Sequence, residues 1–140
     1  MNKWEYLPHT ADAMFRAYGV NLQEAFINAA LAMANITFDT TKIKPKLEKE
    51  INIKADSLRE LLLTFLDEFV YLMDTEGFLL HEIVSLTIMK SIPYKIRAII
   101  KGDHYKEYEM HGQLVKAVTY NDMIIENKEK QCMLQIVVDI

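Results

Sequence analysis

Two stretches of the chain, residues 22–34 and residues 58–73, carry apolar residues at the three-to-four-residue spacing of an amphipathic α-helix. Each stretch opens with a capping box, in which an N-cap residue is followed three residues later by a glutamate. The two boxes are Asn21 with Glu24 and Ser57 with Glu60. Gly77 follows the second stretch and suits the left-handed backbone conformation that often ends a helix. The pattern therefore predicts two helices with defined starts.

Most of the remaining chain alternates between apolar and polar residues, the pattern of a β-strand with one buried face. In residues 46–54, for example, Leu47, Ile51 and Ile53 fall on one face, and charged or polar residues fall between them. Further strands are predicted at residues 13–18, 83–89, 94–101, 116–120, 123–126 and 132–138. Because the strands after residue 80 follow one another across short gaps without intervening helices, they are expected to pair antiparallel.

Length and composition complete the prediction of the fold. The chain has 140 residues, of which 51% are hydrophobic and 26% charged, as in a packed protein with one domain over residues 1–140. The fold class expected is α+β, with mainly antiparallel sheets and two amphipathic helices packed on them.

Charge and cysteine content exclude several classes of function. Sixteen Lys and Arg against 20 Asp and Glu give a net charge of −4 and a pI near 5.6. This balance argues against strong, sequence-independent binding to nucleic-acid phosphates. The single cysteine, Cys132, excludes a disulfide framework and a cysteine-based zinc cluster, and it suits a reducing compartment. With no apolar run of signal-peptide or membrane-span length, we expect a cytoplasmic protein that does not enter a membrane.

The His-Thr-Ala-Asp segment at residues 9–12 falls where one short strand ends and the next begins. Polar side chains at such a strand edge can face a shared cleft, which makes Asp12 a candidate functional residue. The alternative is local, with Thr10 or Asp12 satisfying the amides of a turn, as Ser, Thr and Asp commonly do.

The last strand is strongly apolar and is followed directly by Asp139 and Ile140. If it is paired to its end, the Asp139 carboxylate and the terminal carboxylate of Ile140 lie close together and repel unless a proton or cation lies between them. Such oxygen donors favour calcium, magnesium or manganese. Asp12 would supply a third oxygen if the first strand lies beside the last. The alternative is a frayed, solvated terminus.

Other chemistries lack their motifs in this sequence. The four histidines have no zinc-ligand spacing, and neither a P-loop, a dinucleotide fingerprint nor a Gly-x-Ser-x-Gly elbow is present. Lys116 is interpreted either as a solvent-facing lysine of a strand or as a contact for an anionic partner. A small metal-dependent phosphoester hydrolase, with Asp12 and Asp139 around an activated water, remains the enzymatic alternative. No general acid, phosphate cradle or second metal cluster accompanies these residues.

Five segments occur in a characteristic order and spacing. They are H-T-A-D at 9–12, L-Q-E-A-F-I-N-A-A-L-A-M at 22–33, L-L-L-T-F-L-D-E-F-V-Y-L at 61–72, V-K-A-V-T-Y at 115–120 and V-V-D-I at 137–140. Together they resemble the archease family over residues 4–140. The resemblance implies a small non-catalytic protein that activates an RtcB-type RNA ligase, which joins RNA ends in tRNA splicing with GTP and a divalent metal.

The resemblance also implies how the family acts and where it binds metal. Archease-like proteins promote guanylylation of the ligase and its multiple turnover. Their metal site, often holding calcium, is built from the Asp of H-T-A-D and the last two residues, which here are Asp12, Asp139 and Ile140.

This sequence departs from the family pattern at two positions. Pro8 stands where many relatives have an acidic residue, and Asn121 follows V-K-A-V-T-Y where a histidine is common. Each departure removes an auxiliary ligand or contact. The expected metal set is therefore limited to the three oxygen-bearing residues, with His9 and Asn121 outside it. The RNA ligase is the expected partner, and the oligomeric state stays open because antiparallel sheets leave exposed edges.

Overall fold

The computed structural model describes residues 2–140, and in this range two antiparallel sheets and two α-helices form an α+β fold, as predicted. The strand order is β1-β2-β7-β6 in the four-stranded sheet and β3-β5-β4 in the three-stranded sheet. All neighbouring strands pair antiparallel. The elements are β1 (Trp4–Leu7), β2 (Ala13–Gly19), α1 (Leu22–Thr37), β3 (Leu47–Ala55), α2 (Leu58–Glu76), β4 (Phe78–Met89), β5 (Tyr94–His104), β6 (Ala117–Lys128) and β7 (Gln131–Asp139).

The N-cap predicted for α1 is present, and the reciprocal bond of Glu24 goes to the residue before the cap. The Asn21 side chain accepts a hydrogen bond from the Glu24 N–H at 2.9 Å, and the Glu24 carboxylate accepts one from the Val20 N–H at 3.3 Å. The helix runs three residues beyond the predicted end at residue 34, to Thr37. It does so because the backbone bonding continues, with the Phe38 N–H donating to the Ala34 carbonyl.

The second helix begins and ends as its polar signals indicate. The Ser57 hydroxyl accepts from the Glu60 N–H at 3.1 Å. Gly77 has a φ of +64°, and its N–H donates to the Met73 carbonyl at 3.0 Å. The predicted left-handed glycine is therefore confirmed. The helix continues to Glu76 rather than ending at residue 73, because this glycine closes the last turn.

Both helices share one hydrophobic core with both sheets. The fully buried rings of Phe26 on α1 and Phe65 on α2 lie 5.9 Å apart between centroids. The core-facing side chains of β7 are Cys132, Leu134, Ile136 and Val138, and all of them are fully buried. The core thus holds β7 along its whole length. No helix within residues 2–140 is long and apolar enough to cross a membrane.

Several strand boundaries were predicted wrongly. Residues 116–120 and 123–126 belong to one bulged strand, β6, which begins at residue 117. β5 continues past residue 101 to residue 104 and includes Gly102, because this glycine permits a close approach of strands rather than a turn. A Cβ at Gly102 would overlap the Leu79 carbonyl oxygen.

Two further strand predictions need correction on burial and extent. β4 begins at Phe78 rather than residue 83, since the three residues after Gly77 are buried and pair with β5. Leu47 is 43% exposed, although alternation placed it on a buried face. It lies at the start of β3, an edge strand whose buried positions, Ile51 and Ala55, come later.

The segment between β5 and β6, residues 105–116, is anchored to the core before it reaches the end of the last strand. The Tyr108 hydroxyl donates to Asp103 Oδ2 at 2.6 Å. Farther along, the Thr37 hydroxyl donates to the Gln113 carbonyl at 2.6 Å, and the His111 N–H donates to the Thr37 carbonyl at 2.9 Å. These bonds define the path by which the chain enters β6.

Tyr108→Phe is expected to destabilise the protein more at neutral pH than at acid pH. The hydrogen bond from Tyr108 is the main cause that lowers the pKa of the Asp103 carboxyl, with a further bond from the His104 N–H. A carboxyl with a lowered folded-state pKa stabilises the fold above its unfolded pKa of about 3.9, and this stability is lost as pH falls through the folded pKa. The midpoint of thermal unfolding should therefore fall by about 2–4 °C at pH 7, and the fall should become smaller as the pH drops through the folded-state pKa of Asp103.

Circular dichroism melts at the two pH values test this expectation. Tyr71→Phe is the control, since Tyr71 is an exposed tyrosine on α2. If Tyr108→Phe lowered the unfolding midpoint as much in acid as at pH 7, the proposed stabilisation by the ionised Asp103 carboxyl would be contradicted.

Candidate functional site

The register of the four-stranded sheet brings Asp12 and Asp139 together. β2 and β7 are antiparallel neighbours, and their pairing runs as far as Ala13 opposite Val138. The next residues along the two strands are Asp12 and Asp139, and both are half-buried. Paired antiparallel residues lie about 4.5–5.5 Å apart between Cα atoms. These two acidic residues therefore occupy neighbouring backbone positions at the end of the sheet where β2 begins and β7 ends, which we call the acidic edge.

The end of β7 is held from both sides. β7 lies between β2 and β6, with Ala117 opposite Asp139, and the Lys116 N–H donates to the Asp139 carbonyl at 2.8 Å. Ile140 is half-buried and packs against the main core. The frayed terminus considered from the sequence is therefore wrong. The α-carboxyl group of Ile140 follows directly on this held backbone.

The turn that carries Asp12 reaches across the sheet. Residues 8–12 connect β1 to β2, and Ala11 in this turn has a φ of +69°, a left-handed conformation uncommon for residues other than glycine. His9 Nε2 lies 3.8 Å from Asp122 Oδ2 on β6. Because β7 separates β2 from β6, the turn and β6 meet over β7. His9 thus contacts Asp122, a residue that sequence analysis did not single out.

The part of β6 that meets this turn is a bulge. Four residues, 120–123, lie opposite the single residue Ile136 of β7, between the pairs formed by Thr119 and Ile124. Asp122 has a φ of +53°. Bulges of this kind re-aim side chains and are frequent beside functional sites. Here the bulge points Asp122 toward the turn of residues 8–12.

Cationic and aromatic groups support the bulge from the α2 side. Arg59 Nη1 donates to the Met123 carbonyl at 3.0 Å, and the Arg59 guanidinium lies 5.7 Å from the centroid of the Tyr120 ring. Met123 itself is buried. Asn121 is exposed at the outer side of the bulge, so its side chain is open to solvent or to a partner.

Comparison with known proteins identifies the family of this chain. The family model described as "Archease protein family (MTH1598/TM1083)" matches residues 4–140. The chain belongs to the archease family. The archease of Pyrobaculum neutrophilum is 41% identical over 140 residues, which cover 98% of this chain and 95% of that protein. The archease of Pyrococcus furiosus is 37% identical over 143 residues and is covered completely, as is this chain.

Two solved structures share the archease fold. The solution structure of Methanobacterium thermoautotrophicum protein 1598 is similar with a TM-score of 0.84 at 30% identity, and 100% of each chain is covered. The crystal structure of a Thermotoga maritima archease, described as a possible chaperone, has a TM-score of 0.64 at 16% identity and covers 97% of this chain and 96% of that one. The second likeness concerns the fold alone. The resemblance inferred from the five sequence segments is confirmed.

The donor atoms at this edge of the archease fold have the chemistry of a hard-cation site. Asp12, Asp139 and the terminal carboxylate of Ile140 offer only oxygen, which calcium, magnesium and manganese prefer. Within residues 2–140 no cluster of three or more His, Cys, Asp or Glu side chains is suited to hold a metal ion. The two side-chain carboxylates of Asp12 and Asp139 therefore do not make a complete cation site by themselves.

Sequence reasoning identified some of the residues at this edge and missed others. The structure brings Asp12, Asp139 and Ile140 to one edge, and it places Lys116 there as an exposed residue whose N–H bonds Asp139. Asp122 was missed, because its contact depends on the β6 bulge. The break in alternation between residues 120 and 123 was the available signal, and it resembles a turn.

Proposed function

We propose that this archease-family protein is a non-catalytic activator of an RtcB-type RNA-splicing ligase in tRNA splicing. It promotes guanylylation of the ligase and multiple turnover, and it acts in the cytoplasm. The observation that carries the proposal is the acidic pair, Asp12 and Asp139, at the ends of two neighbouring strands in a chain that matches the family over residues 4–140.

The proposed activator works through a divalent-ion site at the same edge, with calcium as the ion to be tested. Asp12, Asp139 and the terminal carboxylate of Ile140 would hold the ion. When bound, the ion supplies positive charge that offsets the repulsion of the carboxylates and attracts phosphate oxygens. The protein's own contribution is orientation: the Lys116 N–H fixes the backbone of Asp139, and the turn of residues 8–12 carries Asp12.

The experiment that tests the function measures a ligase with and without this protein. The guanylylated fraction of the cognate RtcB-type ligase and the number of RNA joints made per ligase are followed with GTP and a divalent metal. Substoichiometric amounts of this protein should raise both quantities, because an activator that is not consumed serves many ligase molecules. An unrelated acidic protein of similar size is the control. No increase with a folded sample would refute the proposal.

A further inference from the structure

A buried glutamine in the middle of β7 connects the two strands on either side of it. Gln135 is only 6% exposed. Its Oε1 accepts a hydrogen bond from Arg16 Nε on β2 at 2.9 Å, and its Nε2 donates to the carbonyl of Asp122 in the β6 bulge at 2.8 Å. Because β7 separates β2 from β6, this one amide is a bridge between strands that do not pair with each other.

The bridge continues from Asp122 into the turn that carries Asp12. The Asp122 carboxylate lies 3.8 Å from His9 Nε2, and His9 stands three residues before Asp12. Asp12 leads directly into β2, the strand on which Arg16 lies. The contacts therefore form a closed ring that starts and ends at Gln135 and passes through the bulge, the turn and β2.

The burial of Val137 agrees with this ring. Val137 lies on the same face of β7 as Gln135 and Asp139, two residues from each. It is fully buried, yet it is not part of the main core cluster that the helices cover. Its register partners are Met14 on β2, which follows the turn of residues 8–12, and Thr119 on β6, which directly precedes the bulge. Val137 is therefore buried where β7 runs between the turn and the bulge.

We propose that Gln135 is a positioning residue for the acidic edge. By fixing the bulge at Asp122, it fixes the turn of residues 8–12 and so the position of Asp12 relative to Asp139. The inference rests on the proposed divalent-ion site. Loss of the amide would leave the Asp122 carbonyl without the hydrogen bond from Gln135 and free the bulge to move. Residues that orient metal ligands in this indirect way typically change affinity by about 10–100-fold when they are replaced.

Calcium titration of Gln135→Leu tests the proposal. Leucine has a similar volume and removes both hydrogen bonds of the amide. Isothermal titration calorimetry with calcium chloride should show affinity at least about tenfold weaker than that of the wild type. Asn28→Leu is the matched control, because Asn28 is also buried, at 5% exposure, and donates to the Tyr18 carbonyl at 2.7 Å near the other end of β2. It should lose stability but keep its calcium affinity.

Gln135→Glu keeps the test decisive if the leucine variant fails to fold. Its carboxylate still accepts from Arg16 but cannot donate to the Asp122 carbonyl. The added negative charge by itself would favour a cation, so weaker calcium binding in this variant would point to displaced ligands. Folding of every variant is checked by circular dichroism.

The outcomes separate this inference from the proposed function. If Asp139→Asn binds calcium as the wild type does, or if the wild type binds none, the ion site is refuted and the role of Gln135 with it. If Asp139→Asn loses calcium while both Gln135 variants bind normally, the ion site stands and the positioning role is overturned. Equal weakening in Asn28→Leu would also overturn it, by showing a general effect of lost stability.

Discussion

Asp139→Asn is expected to abolish the stimulation of an RtcB-type ligase while leaving the fold intact. The substitution keeps the size of the side chain and removes the negative charge of one of the three proposed carboxylate ligands. The hydrogen bond from the Lys116 N–H is kept, because it goes to the main-chain carbonyl of Asp139. Calcium affinity should fall about hundredfold, or about 2.7 kcal/mol, and the free energy of unfolding without calcium should change by less than about 0.5 kcal/mol.

Ligase guanylylation, calcium titration and urea unfolding measure the three parts of this prediction. Glu126→Gln is the matched control, since Glu126 is an exposed acidic residue of β6 that pairs opposite Met133, far along β7 from Asp139. It removes the same charge and should change none of the three quantities. A second variant, extended by two glycines after Ile140, displaces the terminal carboxylate and should behave like Asp139→Asn. Full stimulation by both variants would show that the acidic edge has no part in activation.

The helices could be predicted from sequence because their signals are local. In α1 the N-cap bond between Asn21 and Glu24 forms within one turn, and in α2 the positive φ of Gly77 requires only that residue and the helix before it. Only the predicted C-terminal ends were wrong, since each helix continues three residues beyond its predicted end. The last turn of each helix is held by backbone hydrogen bonds, and the spacing of apolar residues does not show where these bonds end.

The β6 bulge could not be predicted because its supports are distant in the chain. Gln135 holds the Asp122 carbonyl from the next strand, and Arg59 holds the Met123 carbonyl from α2. In the sequence, the exposed polar residues at 121 and 122 look like a turn between two strands. Only the tertiary contacts turn that break into a bulge within one strand.

The adjacency of Asp12 and Asp139 lies between these two cases. Residue chemistry suggested an oxygen site of Asp12, Asp139 and the chain end as one of two alternatives, and the likeness to a family favoured it over a frayed terminus. Their neighbouring backbone positions depend on the pairing of β2 with β7, two strands that are far apart in the sequence. Alternation of apolar residues shows that both segments are strands and carries no information on which strands are neighbours.

Phe65→Ala is expected to lower the free energy of unfolding by about 3–5 kcal/mol. Phe65 is fully buried, and its ring lies 5.2 Å from that of Phe69 at 88° and 5.9 Å from that of Phe26 on α1. The substitution leaves a cavity where the two helices meet inside the core. Urea unfolding followed by circular dichroism measures the loss. Tyr71→Ala, a 57% exposed position on the same helix, is the control and should cost far less.

Calcium binding at the acidic edge is expected to offset the stability lost in the core. A ligand that binds only the folded state stabilises it by about 2.7 kcal/mol when its concentration is one hundred times its Kd. Calcium should therefore restore a large part of the stability that Phe65→Ala loses. The double variant with Asp139→Asn should gain almost nothing from calcium, because its ion site is impaired while its core defect is the same. Equal calcium rescue of both variants would mean that the ion binds elsewhere than at Asp139.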